Sequence, residues 1–266
     1  MRARYLTVVF SISALLVFAP NAGAGGGTRV ASAEITAAAA PWMAIGAGVA
    51  ISGRVTPHLA GIRITLEREQ GTAWRAISAE KSQSGGGFSF VNHPGKLGLA
   101  TYRVVTSPGT SYVGASASVP VEVLEWTYLG KIYARPAAGE LSTDPIVSNG
   151  VTYNNQVALD AGCYNAWGGD AWIDYDLGRR YETLTATVGL PDSARAGSTA
   201  SFRVLGDGKT LASGNLVPGS STKITVSLSG ISRLRLFSNV PDPTGAAGCG
   251  TYFLQVVFGD AQLLGP

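Results

Sequence analysis

Histidine is almost missing from this chain: His58 and His93 are the only two among 266 residues. Both sit among turn residues, in Thr56-Pro57-His58 and Asn92-His93-Pro94, so a Ser-His-Asp triad or a histidine-ligated zinc site lacks its parts. Charged residues are also sparse, at 14% of the chain, and the Lys and Arg residues are dispersed. That excludes nucleic acid as the expected partner, because phosphate binding needs concentrated positive charge. No apolar run reaches the roughly 20 residues of a membrane-spanning helix. Residues 6–18 come nearest, and they follow Arg2 and Arg4 and precede Ala22-Gly23-Ala24. This is the order of a signal peptide over residues 1–24, cut after Ala24. The mature chain is therefore expected to be secreted, with no transmembrane segment, and attachment at the cell surface stays open. Without Arg2 and Arg4 the formal charge falls from +3 to +1, since no acidic residue precedes Glu34.

Cysteine is limited to Cys163 and Cys249. An even pair in an exported protein reads most simply as one disulfide, and closing a loop of about 85 residues would stabilise the fold by roughly 4–5 kcal/mol in the chain-entropy model. Two buried thiols are the alternative. No histidine lies in the second half of the chain to suggest a zinc site with them.

Glycine, by contrast, is plentiful at 35 residues, and short alternating segments recur between turn residues. Residues 49–55, 62–67, 74–80, 88–91, 101–105 and 119–124 read as strands of a first all-β domain over 28–125, with a further strand near 29–36. Ile62, Ile64 and Leu66 share one face there, and Arg63, Thr65 and Glu67 the other. Trp74 stands beside a strand start, where core or edge packing is the more usual role than a sugar platform. Gly85-Gly86-Gly87 precedes a strand and not a helix, so it lacks the setting of a phosphate loop. A second domain over 126–266 carries about eight strands, at 151–160, 171–177, 182–190, 200–205, 210–215, 222–228, 232–237 and 251–258. Leu184, Ala186 and Val188 alternate with Thr183, Thr185 and Thr187, the pattern of a sheet with one buried face. Asp207-Gly208 between two strands is a hairpin signal.

The first domain resembles the bacterial immunoglobulin-like or fibronectin-like modules of exported proteins in Ile51-Ser52-Gly53-Arg54-Val55, Gly71-Thr72-Ala73-Trp74 and Thr101-Tyr102-Arg103-Val104. The likeness implies a spacer, with Tyr102 as a tyrosine corner whose hydroxyl ties back to the backbone. The second domain resembles the NPCBM family of carbohydrate-binding modules. The residues that carry this are Ala171-Trp172-Ile173-Asp174-Tyr175-Asp176-Leu177, Glu182-Thr183-Leu184-Thr185-Ala186-Thr187-Val188-Gly189-Leu190, Phe202-Arg203-Val204-Leu205-Gly206-Asp207-Gly208, Gly230-Ile231-Ser232-Arg233-Leu234-Arg235-Leu236 and Gly259-Asp260-Ala261-Gln262-Leu263. The resemblance implies a discoidin-like, galactose-binding-like jelly roll. It also implies a bound glycan or polysaccharide, often galactose-containing, held by loops at one end. Related modules carry a structural calcium, and no organic cofactor is implied. The chain departs from the family pattern in the glycine-rich segment 160–170, which has no histidine, and at 254–258.

That segment supplies the candidate carbohydrate-binding residues Tyr164, Asn165, Trp167 and Asp170, joined by Trp172 on the following strand. An aromatic ring covers the C–H patch of a pyranose, while amide and carboxylate groups take its hydroxyls. A tightly folded loop that binds nothing is the competing reading. Trp172, Asp174 and Asp176 share one strand face, and Ile173, Tyr175 and Leu177 are the core candidates. Asp174 and Asp176 lie roughly 7 Å apart, but carboxylates side by side on one strand would not flank a glycosidic bond. The chain is thus expected to bind glycan without catalysis. A structural or adhesive surface protein with a degenerate pocket is the rival.

Overall fold

The computed structural model describes residues 34–56, 58–108, 114–138, 140–142, 144–160, 169–240 and 254–266. Residues 1–33, which hold the signal-peptide reading, lie outside that set. The chain divides into two compact units, one ending at Leu124 and one beginning at Glu125. No described helix is long and apolar enough to cross a membrane.

The first unit contains β1 (Glu34–Ala38), β2 (Trp42–Ala44), β3 (Val49–Thr56), β4 (Arg63–Gln70), β5 (Ala73–Lys81), β6 (Gly87–Asn92), β7 (Gly98–Thr106) and most of β8 (Ser116–Tyr128). One antiparallel sheet runs β1-β3-β6. The other runs β5-β4-β7-β8, with β2 pairing parallel to β8. The alternation read from the sequence is met: Ile62, Ile64 and Leu66 are buried, joined in the core by Ile51, Val55 and Phe90 from the facing sheet. Tyr102 is fully buried on β7, but its hydroxyl donates to the side-chain Oδ1 of Asn92 at 2.9 Å. The expected tie to the backbone is replaced by an amide acceptor at the end of β6. His58 and His93 are exposed, as turn residues should be.

The second unit contains β9 (Ala134–Ala138), β10 (Glu140–Ser142), β11 (Ile146–Ser148), β12 (Val151–Tyr153), β13 (Val157–Asp160), β14 (Asp170–Asp176), β15 (Thr183–Gly189), β16 (Ala200–Gly206), β17 (Lys209–Leu216), β18 (Ser221–Ser227), β19 (Arg233–Asn239) and β20 (Gln255–Gly265). A five-stranded sheet runs β17-β16-β19-β14-β9. In the other, β20 is central: β15 and then β18 lie on one side, β13 and then β10 on the other, where residues 125–128 also pair with the last part of β20. From β13 to β20 the chain passes between sheets at every connection except the β16–β17 hairpin, which is jelly-roll connectivity. All of these pairings are antiparallel.

Ile173, Tyr175 and Leu177 are buried as expected, and so are Leu184, Ala186 and Val188. The hairpin at Asp207-Gly208 has φ of 46° and 82°, so both central residues take the left-handed region that this turn requires. Three differences from the sequence reading have local causes. The segment 151–160 is two strands, β12 and β13, separated at 154–156. Strand β9 went unread because Pro136 looks like a strand breaker, yet β9 is an edge strand, where a missing N–H is tolerated. Strand β20 continues past Phe258 because Asp260 (φ 46°) and Ala261, together opposite Ala186, absorb a bulge against β15 instead of ending the strand.

Candidate functional site

Of the residues read as a carbohydrate site, Tyr164, Asn165 and Trp167 lie outside the described residues, as do Cys163 and Cys249 of the expected disulfide. Asp170 and Trp172 are placed, and both point outward from β14, since Ala171 and Ile173, which alternate with them, are buried. Asp170 stands opposite Asn239 on β19, whose Nδ2 donates to Asp170 Oδ1 at 2.7 Å. Ser201 on β16 continues that polar row. One step along the strands, half-buried Trp172 faces Phe237, with Arg203 next across. The Arg235 guanidinium lies 5.4 Å from the Trp172 ring centre, and Arg203 lies 4.2 Å from that of Phe237. The sheet face therefore offers amide and carboxylate groups beside aromatic rings, the mixture a pyranose needs.

The end of the sandwich where these residues sit is also where the two longest undescribed stretches of this unit attach. The Val240 N–H donates to the Gly169 carbonyl at 3.0 Å, and Asp160 pairs with Gln255. Segments 161–168 and 241–253 thus start and finish at neighbouring points. Gly169 is required there, because its φ is +94° and a Cβ would sit 2.3 Å from the Val240 carbonyl oxygen.

Further along the same face, charges with nothing in the sequence to connect them are brought together. Arg235 grips Asp174 through two hydrogen bonds, Nε to Oδ1 and Nη2 to Oδ2, both 2.7 Å. Arg135 on β9 donates to Asp176 Oδ2 at 2.6 Å. The Arg233 Nε lies 3.8 Å from Asp176 Oδ1, too far for a hydrogen bond. Asp207, in the hairpin turn, accepts the backbone N–H groups of Ser232 and Arg233 at 3.1 and 2.8 Å. Between these groups runs a groove of about 550 Å³, with Leu205 and Gly208 in its lining. The arginines were legible only as the alternation Arg233-Leu234-Arg235-Leu236, which puts both on one face.

This geometry is wrong for a glycosidase pair. The hydrogen bonds from Arg235 hold the Asp174 carboxyl below its ordinary pKa, whereas a general acid needs its pKa raised. The Asp207 carboxyl is lowered as well, by the two backbone N–H donors. A depressed carboxyl contributes stability that is present above its unfolded pKa and is lost as pH falls through the lowered folded value. Asp174→Asn is therefore expected to flatten the acid limb of a Tm-against-pH curve, and to lower the neutral Tm by about 2–4 °C by leaving Arg235 unpaired. An acid limb identical to the parent's would remove Asp174 from this account.

Trp74 on β5 is half-buried, and the Arg103 guanidinium lies 4.4 Å from its ring centre, consistent with a packing role. Among the described residues, no three His, Cys, Asp or Glu side chains converge to hold a metal ion.

Residues 132–263 match the model of the NPCBM/NEW2 domain. No curated protein matches the chain. Among solved structures, a CBM51-2 with INT domains from Clostridium perfringens ZmpB, in complex with GlcNAc, is similar at 15% identity and a TM-score of 0.42 over 64% of this chain. The chain spans 38% of that structure's length. A CBM51 from C. perfringens GH95, in complex with methyl-galactose, is similar at 22% identity and a TM-score of 0.40, covering 52% of this chain and 99% of that one.

Proposed function

Since residues 132–263 are an NPCBM/NEW2 domain, a carbohydrate-binding module family, we propose that this chain is an exported, non-catalytic glycan-binding protein. The second sandwich holds the sugar at one end, and the first, an immunoglobulin-like sandwich, acts as a spacer. Tyr164, Asn165 and Trp167 would supply the loop wall, with Asp170 and Trp172 as its rigid floor. The observation that carries this is the outward row of Asp170, Asn239 and Trp172 at the point where segments 161–168 and 241–253 join the sheets. Function on loops held by a rigid scaffold is the common arrangement.

A disulfide between Cys163 and Cys249 fits the same placement. Cys163 follows Asp160 by three positions, Cys249 precedes Gln255 by six, and Asp160 and Gln255 are cross-strand partners. At ~3.3–3.6 Å per extended residue both thiols can reach a common point. The bond would hold the two loops as one wall.

A glycan array probed with the full chain tests the reading. Retention on at least one neutral glycan is expected, and Trp167→Ala should weaken it by about tenfold, the loss of one stacked aromatic ring. Retention indifferent to that substitution would take the loop out of the site. Silence across all glycans, with specific capture of a protein partner, would replace the reading with an adhesive one.

A further inference from the structure

The groove lies further along the outward face of the five-stranded sheet than the loop end, with Arg235 between the two, and its polar groups are not all hydrogen-bonded. Arg233 and Arg235 line it together with Asp174, Asp176 and Asp207, while Arg135 reaches Asp176 from β9 and Arg179 lies near Asp207. Each acid but one oxygen is already served. Both Asp174 oxygens are held by Arg235, the Asp207 oxygens take two backbone N–H groups, and Asp176 Oδ2 is held by Arg135. What remains is the Arg233 guanidinium, 54% exposed and with no hydrogen bond among the described residues, beside Asp176 Oδ1 at 3.8 Å. A strong fork of donors and a carboxylate acceptor thus stand side by side as an ion pair that no hydrogen bond closes.

We propose that this groove is a second glycan site, which takes an acidic sugar of the hexuronate class through Arg233 and Asp176. The proposal rests on the glycan-binding reading for the class of ligand but not for the place. The sugar carboxylate would lie against Arg233 in a charge-assisted pair. A neighbouring ring hydroxyl would donate to Asp176 Oδ1, and the apolar face of the ring would rest on Leu205 and the bare backbone of Gly208. The groove volume of about 550 Å³ falls inside the roughly 300–1,000 Å³ usual for small-ligand pockets. Asp176 is what selects a sugar acid over any other anion. An anion without a hydroxyl donor meets only its repulsion, whereas a uronate brings the donor that converts the carboxylate into a partner.

The register of β14 and β19 pre-forms the site. Arg233 stands opposite Asp176, and its backbone N–H is fixed by the Asp207 carboxylate. The backbone on both strands is therefore in place before a ligand arrives, and the Arg233 side chain is what the ligand has to order.

The test is titration of the full chain with trigalacturonic acid and with the same trisaccharide after carboxyl reduction, in low salt and at ~150 mM. The acidic trisaccharide is expected to bind about tenfold more tightly than the reduced one, with the margin narrowing as salt is raised. Arg233→Ala should erase that preference, Arg233→Lys should keep part of it, and Trp167→Ala should leave the affinity for the acidic trisaccharide unchanged and so should not diminish the preference. Because Arg233 is exposed, its substitutions are expected to leave Tm intact, which the same samples check. Equal binding of the two trisaccharides would overturn the proposal while leaving neutral-glycan binding at the loops to be judged by its own array. Loss of the preference in Trp167→Ala would overturn it too, by showing that one site serves both. A polyglutamate chain held as tightly as the uronate would overturn it in favour of bare charge. Uronate binding that depends on Arg233, in a chain that holds no neutral glycan, would uphold this site and remove the loop site.

Discussion

Gly53→Ala is expected to destabilise the first unit by more than about 3 kcal/mol, beyond ordinary overpacking. Gly53 is in the middle of β3, where the strand is paired on both sides, with β1 and with β6. A Cβ there would lie 1.8 Å from the Thr36 carbonyl oxygen and 2.6 Å from the Phe88 ring. The ring could rotate away, but the carbonyl belongs to the backbone of β1, so the substitution must push one strand off the other. Denaturant unfolding should show a transition at lower denaturant. Amide exchange should quicken over β1 and β3, while strands of the second unit keep their protection. Unchanged exchange over β1 would refute the close approach.

Phe258→Ala should cost the second unit about 3–5 kcal/mol. Phe258 is fully buried on the central strand β20 and meets the Phe202 ring edge-on, with centroids 6.1 Å apart. These two rings come from opposite sheets, so removing one opens a cavity between the layers that neither sheet can close by itself. The expected sign is a single unfolding transition moved to lower denaturant with little change in its slope. A change in slope without a change in midpoint would instead mean that the substitution acts on the unfolded chain.

Much of the second sandwich could be read in advance wherever one face is buried and the other wet. Leu184, Ala186 and Val188 against Thr183, Thr185 and Thr187 is such a place, and so is Ile173, Tyr175 and Leu177. It failed at β9, where tolerance of Pro136 depends on being an edge, and at 259–261, where Gly259 looks like a terminator but the strand runs on through a bulge at Asp260 and Ala261. Both depend on what lies beside the strand. Of the candidate residues, the outward direction of Trp172 was legible because it alternates with Ile173, Tyr175 and Leu177, whereas Asp170 was read as loop and lies on β14. The partners of Asp170 and Trp172, Asn239 and Phe237, were not legible.

What the sequence determined by itself is the class of structure and the direction of side chains along the strands whose alternation is regular. The period of two assigns residues to the core or the surface, and Asp207-Gly208 assigns a turn, because these depend on neighbours a few positions apart. What only the tertiary structure decided is which charges meet. Asp174 and Arg235 are 61 positions apart, and Arg135 and Asp176 are 41 apart. Their pairing follows from the register of β14 against β19 and β9. That register is fixed by packing of the opposite, buried face, so the charges on the outward face are carried into place by residues that never touch them.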